Sequence, residues 1–418
     1  MPTETNNFKK GTSNFTLTGK LRTGPNTFSL DKKSENNFIS NKAYLGVDCG
    51  NGNVVFAELW GGYKVDDDDN VLTKLYVHGA KVDPDNPRRS VDDFDNRFEV
   101  FWDERENEEV VNDVGPSCFI RVGLEIDKNK KLVVHKYLSP YDAVAYIEEV
   151  VSGWSDEKKD STVVEIRGTI DYNYYEGKVS YRKTITSVML RTDKEEKDFG
   201  AKFIQTIYVD KNSIGKADME KCILPLYAKV PEYINKYKDI EVKETVPLNF
   251  EFQIDAKSKI AKSLANLIAK SKNYACFVVK GEFVESGTTE ELDLSTLPDD
   301  VKNYLEQGLI SEEDVLKAVA SGNQRSYIMS INGVHVVTDE KKVPQMAYTD
   351  NVFTEKDFNS FGDKFYTIAQ EADNGEDSKE VSADELPDPI GDDDEPPFDT
   401  KSDDSEPVDD MSWMANFQ

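Results

Sequence analysis

Phe15-Thr-Leu-Thr-Gly-Lys-Leu21, Val164-Glu-Ile-Arg-Gly-Thr-Ile170 and Phe277-Val-Val-Lys-Gly-Glu-Phe283 share one pattern, an apolar residue at every second position with glycine fifth. Alternation at period two marks a half-buried strand. A glycine inside such a strand marks a bulge or sharp bend, the device that curls a sheet toward a barrel. The glycines stand 149 and 113 residues apart, which excludes a solenoid of fixed period. Three related small β units, at least one of them a barrel, are the expectation. Coincidence among alternating strands would leave the strands and remove the kinship.

Working outward, further strand candidates are Phe28–Leu30, Tyr44–Val47, Val54–Leu59, Leu75–Val77, Phe98–Trp102, Phe119–Ile126 and Leu132–Tyr137. Pro140 opens a helix in which Val144, Ile147, Val150 and Val151 keep i, i+3, i+4 spacing. The charged stretch 155–160 is expected to be a linker. Strands are predicted over 163–171, 179–191 and 203–209, then an irregular region with Pro225, Pro231 and Pro247, and a strand over 250–254. Ile260, Leu264, Leu267 and Ile268 form the apolar stripe of a helix over 257–272. A strand over 274–284, short helices over 299–307 and 311–320, and a β segment over 327–337 turning at Asn332-Gly333 complete the body. The predicted fold is mainly β with some α. It comprises a β-rich domain at 1–155, an OB-like barrel domain at 156–256, an α+β region at 257–350, a linker at 351–370 and a disordered tail at 371–418.

The chain has 418 residues, and 80 acids against 51 lysines and arginines give a net charge of −29. With a mean hydropathy of −0.61 and no apolar run near ~18 residues, no membrane span is expected, and the location expected is the cytoplasm. Cys49, Cys118, Cys222 and Cys276 form no disulfide framework, and three isolated histidines suit no zinc site, so neither metal nor cofactor is expected. Residues 371–418 hold 18 acids and two lysines, with five prolines and few aliphatic residues. Such a segment cannot bury enough apolar surface to offset the entropy of ordering. Residues 5–30, 177–192 and 256–281 contain no acid and several cations, and local potential, not net charge, decides whether a polyanion binds.

Leu45-Gly-Val-Asp48-Cys-Gly-Asn-Gly-Asn53-Val54 resembles the first phosphate-binding hairpin of the actin and sugar-kinase fold, which would make Asp48 and Gly50–Asn53 a nucleotide site. The same residues suit a plain Asn-Gly turn between strands, the reading favoured because no second Asp-Gly hairpin follows. No P-loop is present, and enzyme chemistry is not expected. A binding constellation is better supported: Arg167, Tyr172, Tyr174, Tyr175, Lys178, Tyr181, Arg182 and Lys183 fall on one predicted strand–turn–strand unit. Single-strand binders combine cations that track phosphates with aromatic faces on which bases stack. Tyr44, Trp60, Tyr63 and Lys64 form a thinner version in the first unit. The alternative for these aromatics is ordinary cross-strand packing.

Asp392-Asp-Asp-Glu-Pro-Pro-Phe398 resembles the acidic tip of bacterial single-stranded DNA-binding proteins, although here 20 residues follow the phenylalanine. The terminus itself, with Asp409, Asp410, Trp413 and Phe417, repeats acids followed by hydrophobic residues. The whole pattern, including the stretch from Phe15 through the Asp48 hairpin to Trp60-Gly-Gly-Tyr63, resembles the large single-stranded DNA-binding proteins of bacteriophages. That resemblance implies OB-type domains that coat single strands in replication or recombination. It also implies a tail that competes for the DNA groove and recruits replication and recombination proteins through Asp392, Asp393, Asp394, Phe398, Trp413 and Phe417. Competing expectations are an actin-like ATPase using Asp48, or a structural virion-associated β protein.

Overall fold

In the computed structural model, Phe15 lies directly opposite Gly168 on a neighbouring strand, and Phe203 lies directly opposite Gly281. A methyl group at Gly168 would meet the Thr184 carbonyl and sit 2.7 Å from the Phe15 ring. One at Gly281 would meet the Ser330 carbonyl and the Phe203 ring. The next strand bulges at both places, leaving Thr186 and Asn332 outside the ladder. The repeated glycine is therefore where a large core ring crosses under a sharply curled strand.

The structure describes residues 8–238, 240–285, 328–338 and 342–374, for Asp160 the backbone alone. The chain begins with β1 (Ser13–Arg22), β2 (Phe28–Lys33), β3 (Phe38–Asp48) and β4 (Val54–Lys64). An insert follows with β5 (Lys74–Val82), β6 (Ser90–Phe101) and α1 (Glu108–Asp113). Then come β7 (Ile120–Ile126), β8 (Leu132–Tyr137), α2 (Pro140–Ser152), α3 (Asp156–Ser161), β9 (Val163–Tyr175) and β10 (Lys178–Leu190). Strands β1, β3, β4, β10 and β9 close on one another in that order, antiparallel throughout except for the parallel β4–β10 pair. A five-stranded barrel results, with α2 between its third and fourth strands. Ser139 caps α2 by accepting from the Tyr141 N–H, Pro140 occupies the first turn, and Ala143, Val144, Ile147 and Val151 are buried.

The second half repeats the scheme with β11 (Gly200–Val209), β12 (Ile223–Tyr237), β13 (Ile240–Asp255), α4 (Lys259–Ile268), β14 (Tyr274–Val284) and β15 (Ile328–Val334). Here β11, β12, β13, β15 and β14 close in order, again with one parallel pair, β13–β15. Both barrels have OB-like topology. Their first strands also pair antiparallel with each other, Phe15 opposite Phe203, so a single hydrophobic core runs through both. The short pair β16 (Val336–Thr338) and β17 (Pro344–Met346), then β18 (Tyr348–Phe353), α5 (Glu355–Ser360) and α6 (Asp363–Asn374), complete the described chain. By contact density the barrels belong to one unit, and the insert 65–118 belongs to another with its own β5–β6 sheet.

Several expectations change. Among the described residues there are two barrels, not three units: Gly168 and Gly281 occupy equivalent strands, whereas Gly19 lies in the first strand of the first barrel. The boundary expected at 155/156 falls inside that barrel, and the one at 256/257 falls inside the second. Stretch 155–160 is mostly the helix α3, capped by Ser155, with acids in its first turn and lysines in its last. The proline-rich region 210–249 contains most of the longest hairpin, in which Pro231 and Pro247 stand opposite each other. Asn332-Gly333 is a bulge within β15 rather than a turn. The expected linker 351–370 carries the end of β18, α5 and most of α6, because Phe353, Phe358 and Phe365 are buried against the barrels. Residues 371–374 extend α6, and the tail from 375 onward, like the helices expected at 299–307 and 311–320, lies outside the described residues.

Candidate nucleic-acid interface

Strand β4 is apolar on both of its faces. Val55, Ala57 and Leu59 are buried in the barrel, while Val54, Phe56, Glu58 and Trp60 are only partly covered on the other face. Opposite them on β3, Gly46 pairs with Phe56, Tyr44 with Glu58, Lys42 with Trp60 and Phe38 with Lys64. The ladder therefore interleaves rings and cations. Tyr44 and Phe56 stack nearly parallel, 9° and 5.0 Å apart, and Phe38 leans on Trp60 at 5.5 Å. Glycine at 46 lets the Phe56 ring lie over the strand, since a methyl there would sit 2.9 Å from it. Lys42 is shared with Glu58 at 3.3 Å. In barrels of this topology the face across the second and third strands is where extended polymers lie, and flat rings there offer stacking surfaces worth roughly 1–3 kcal/mol per base.

The strand–turn–strand unit expected to bind is the long β9–β10 hairpin, but most of its aromatics point into the molecule. Tyr172 is 5% exposed, with its hydroxyl on Gln205 at 3.3 Å and its ring edge-on to Phe250 of the second barrel. Tyr174 packs on Tyr237 and Phe365, and Tyr181 on Phe250 and Phe283. Lys183 is buried against Glu285 at 2.5 Å, and burial lowers its amine below the usual lysine range although Glu285 pulls it up. Burial removes Tyr172 and Lys183 from any surface. Arg167 is held by Glu165 at 2.7 Å, and Arg182 lies 3.9 Å from Asp171. Tyr175 and Lys178, paired at the hairpin tip, remain exposed. In the first unit Trp60 and Lys64 lie on the β3–β4 face, while Tyr63 points the other way and meets Tyr141 edge-on at 5.3 Å. Phe38, Lys42 and Phe56 were missed. Their signal was the aromatic pair Phe56 and Trp60 at solvent-phase positions of an alternating strand.

The acid-free windows 5–30 and 177–192 find acids from elsewhere in the chain. Lys10 bridges Asp171 (3.1 Å) and Glu232 (2.7 Å), Lys20 meets Glu196, and Arg22 meets Asp48 at 2.8 Å. Burial would lower Lys10, but the two carboxylates hold it above its usual value. Asp171 is held low by Lys10 and a Thr184 hydroxyl against burial, whereas burial leaves Glu232 high. The lysines of α4, Lys259 and Lys262, are exposed. The insert 65–118 carries 16 acids against six basic residues, and 1–64 with 119–370 carry 46 acids against 43. Most of the body's negative charge thus sits on the insert, and the barrel-bearing segments are near neutral.

The Asp48 hairpin is a tight turn with positive φ at Gly50, Asn51 and Gly52. Asp48 is committed to Arg22, whose hydrogen bond foremost holds its carboxyl low, and it accepts from the Gly50 N–H. The Asn53 side chain donates to the Phe283 carbonyl (2.8 Å) and accepts from the Glu285 N–H (2.9 Å). Burial pushes the adjacent Cys49 thiol up to about 12. Among the described residues no three His, Cys, Asp or Glu side chains converge as a metal site, and no helix is long and apolar enough to cross a membrane.

No protein-family model matches the sequence, and no curated protein sequence is similar to it. Among solved structures, a deletion mutant of the single-stranded DNA-binding protein from Thermus aquaticus is aligned at 8% identity. The alignment covers 66% of this chain and 87% of that one with a TM-score of 0.26, a likeness too slight to carry weight.

Proposed function

We propose that this chain binds single-stranded DNA without catalysis and coats it during replication or recombination, in the manner of the bacteriophage proteins its sequence resembles. The observation that carries the reading is the ladder of Phe38, Lys42, Tyr44, Phe56, Trp60 and Lys64 across β3 and β4. Rings spaced along one strand face accept successive bases of any sequence, and cations between them meet the phosphates. The tail from 375 onward, with Asp392, Asp393, Asp394, Phe398, Trp413 and Phe417, is assigned the second half of the function: it competes for the cationic positions and recruits replication and recombination proteins.

The test is fluorescence anisotropy of labelled oligo-dT with the full chain and with residues 1–374, a cut that preserves α6. Expected are binding by both, tighter for the truncated chain, and weakening as salt rises. Binding by neither would sink the proposal. Equal affinity would remove the competing role of the tail and leave the face.

A further inference from the structure

The parallel pairing of β4 with β10 is registered at Glu58 and Thr184, two residues beyond Phe56. At Phe56 the β4 edge facing away from β3 is met instead by a side chain from the other barrel. Glu285 follows the end of β14, is 3% exposed, and accepts the Phe56 N–H on Oε2 at 3.3 Å. Its other oxygen takes Lys183 of β10 at 2.5 Å, and its own N–H is held by Asn53 in the turn that opens β4. Every one of these partners belongs to the first barrel. A buried carboxylate is costly unless its geometry is satisfied on all sides, and here the satisfying groups surround the backbone beneath one half of the ring ladder.

We propose that Glu285, supplied by the second barrel, is a positioning residue for the stacking pair Tyr44 and Phe56 on the first. The inference rests on the single-strand reading above. The β3–β4 ladder on either side of the Gly46–Phe56 pair holds one edge of β4 and Glu285 holds the other, so the pitch of the strand, and with it the tilt of the Phe56 ring against Tyr44, is set from both sides. Trp60 lies beyond the point where β10 takes over the edge, so its ring is fixed independently. The second barrel thereby shapes a binding face to which, among the described residues, it contributes no ring.

Two variants of the full chain separate positioning from charge. Lys183→Met with Glu285→Gln removes the buried ion pair and keeps an acceptor for the Phe56 N–H. Lys183→Met with Glu285→Leu removes both. Affinities are measured for an oligo-dT of about 20 nucleotides and for an abasic strand of equal length, over a salt series. The glutamine variant is expected to keep the wild-type ratio between the two strands. The leucine variant is expected to lose about tenfold on oligo-dT, with unchanged abasic affinity, salt slope and DNA-induced quenching of Trp60. A wild-type ratio in a folded leucine variant, or equal loss in both variants, overturns the inference. Should the leucine variant not fold, Asn53→Ala must show the same selective loss of about threefold, and a wild-type ratio there overturns it equally. Wild-type protein that binds neither strand, or binds both alike, sinks the single-strand or stacking reading itself before any variant is compared.

Discussion

The two barrels share their strand order, their parallel closing pair, the position of their helix and the phenylalanine-under-glycine crossing, yet their outer faces differ. Across β3 and β4 the first presents Phe38, Lys42, Tyr44, Phe56 and Trp60. At the corresponding place on β12 and β13 the second presents Tyr227 opposite Glu251 and Lys229 opposite Asn249. What persists is what closing a small barrel requires, a bend with room for a core ring. What differs is the solvent side, where nothing in the packing dictates the residue. The second barrel has exchanged a ring ladder for contacts that brace its neighbour: Phe250 and Phe283 receive Tyr172 and Tyr181, and Glu285 reaches the first barrel's third strand.

The sharpest way to break this comparison is to remove each face in turn. Combined Tyr44→Ala, Phe56→Ala and Trp60→Ala should weaken oligo-dT binding at least about a hundredfold, while Tyr227→Ala costs less than about threefold. Comparable losses by anisotropy would mean that the barrels share the strand equally. The common architecture is tested next. Phe15→Ala and Phe203→Ala should each lower stability by about 3–5 kcal/mol, and Gly168→Ala and Gly281→Ala by about 1–3 kcal/mol, in urea denaturation. A pair that differs strongly between barrels would show the crossing to be essential in one only.

A third measurement addresses the joint. Lys10 ties β9 to β12 through Asp171 and Glu232. In the native chain the depressed Asp171 contributes stability that is present above its unfolded value of 3.8 and lost as pH falls through its lower folded value. Lys10→Met leaves two carboxylates facing each other with Arg182, 3.9 Å from Asp171, still beside them, which raises both. The variant's deficit should therefore be about 2 kcal/mol at pH 7, below the usual cost of breaking a buried pair because the lysine stem is partly exposed, and should shrink as pH falls below 3.8 and through the lower folded value of Asp171. A deficit independent of pH would assign the loss to packing. The smallest effect is expected at the hairpin tip, where Tyr175→Ala with Lys178→Ala should change oligo-dT affinity by about threefold or less.

The core of this fold was readable because its apolar residues are periodic, at every second position in the strands around Gly168 and Gly281 and at every third or fourth in the helix at Pro140 and the stripe on α4. The hairpin β12–β13 was not, since Pro231 and Pro247 read as breaks until they are seen facing each other. Of the proposed ladder, Tyr44, Trp60 and Lys64 were legible in the sequence and Phe38, Lys42 and Phe56 were not, while Tyr172, Tyr174 and Tyr181 of the β9–β10 hairpin face the second barrel. Tyrosines at alternating positions with arginine and lysine look the same whether they face solvent or a second barrel, and only the partner surface, more than 60 residues on in Tyr237 and Phe250, decides between them. The acid-free windows 5–30 and 177–192 misled for the same reason, as Lys10, Lys20 and Lys183 find their acids at Glu232, Glu196 and Glu285.

Strand β1 has a consequence for the birth of the chain. Its partners arrive late: Ser13 bonds the Ile170 carbonyl across 157 residues, and just ahead of the strand the Thr12 N–H bonds the Thr206 hydroxyl across 194. On the ribosome this strand and its β3–β4 neighbours must wait, with ladder groups unsatisfied, while the acidic insert and two helices are made. Non-local closure of this kind is slow, and an open edge is an invitation to pair with another nascent copy. The charge of the insert, emerging in that interval, would keep neighbouring chains apart until β9 and β10 close the first barrel.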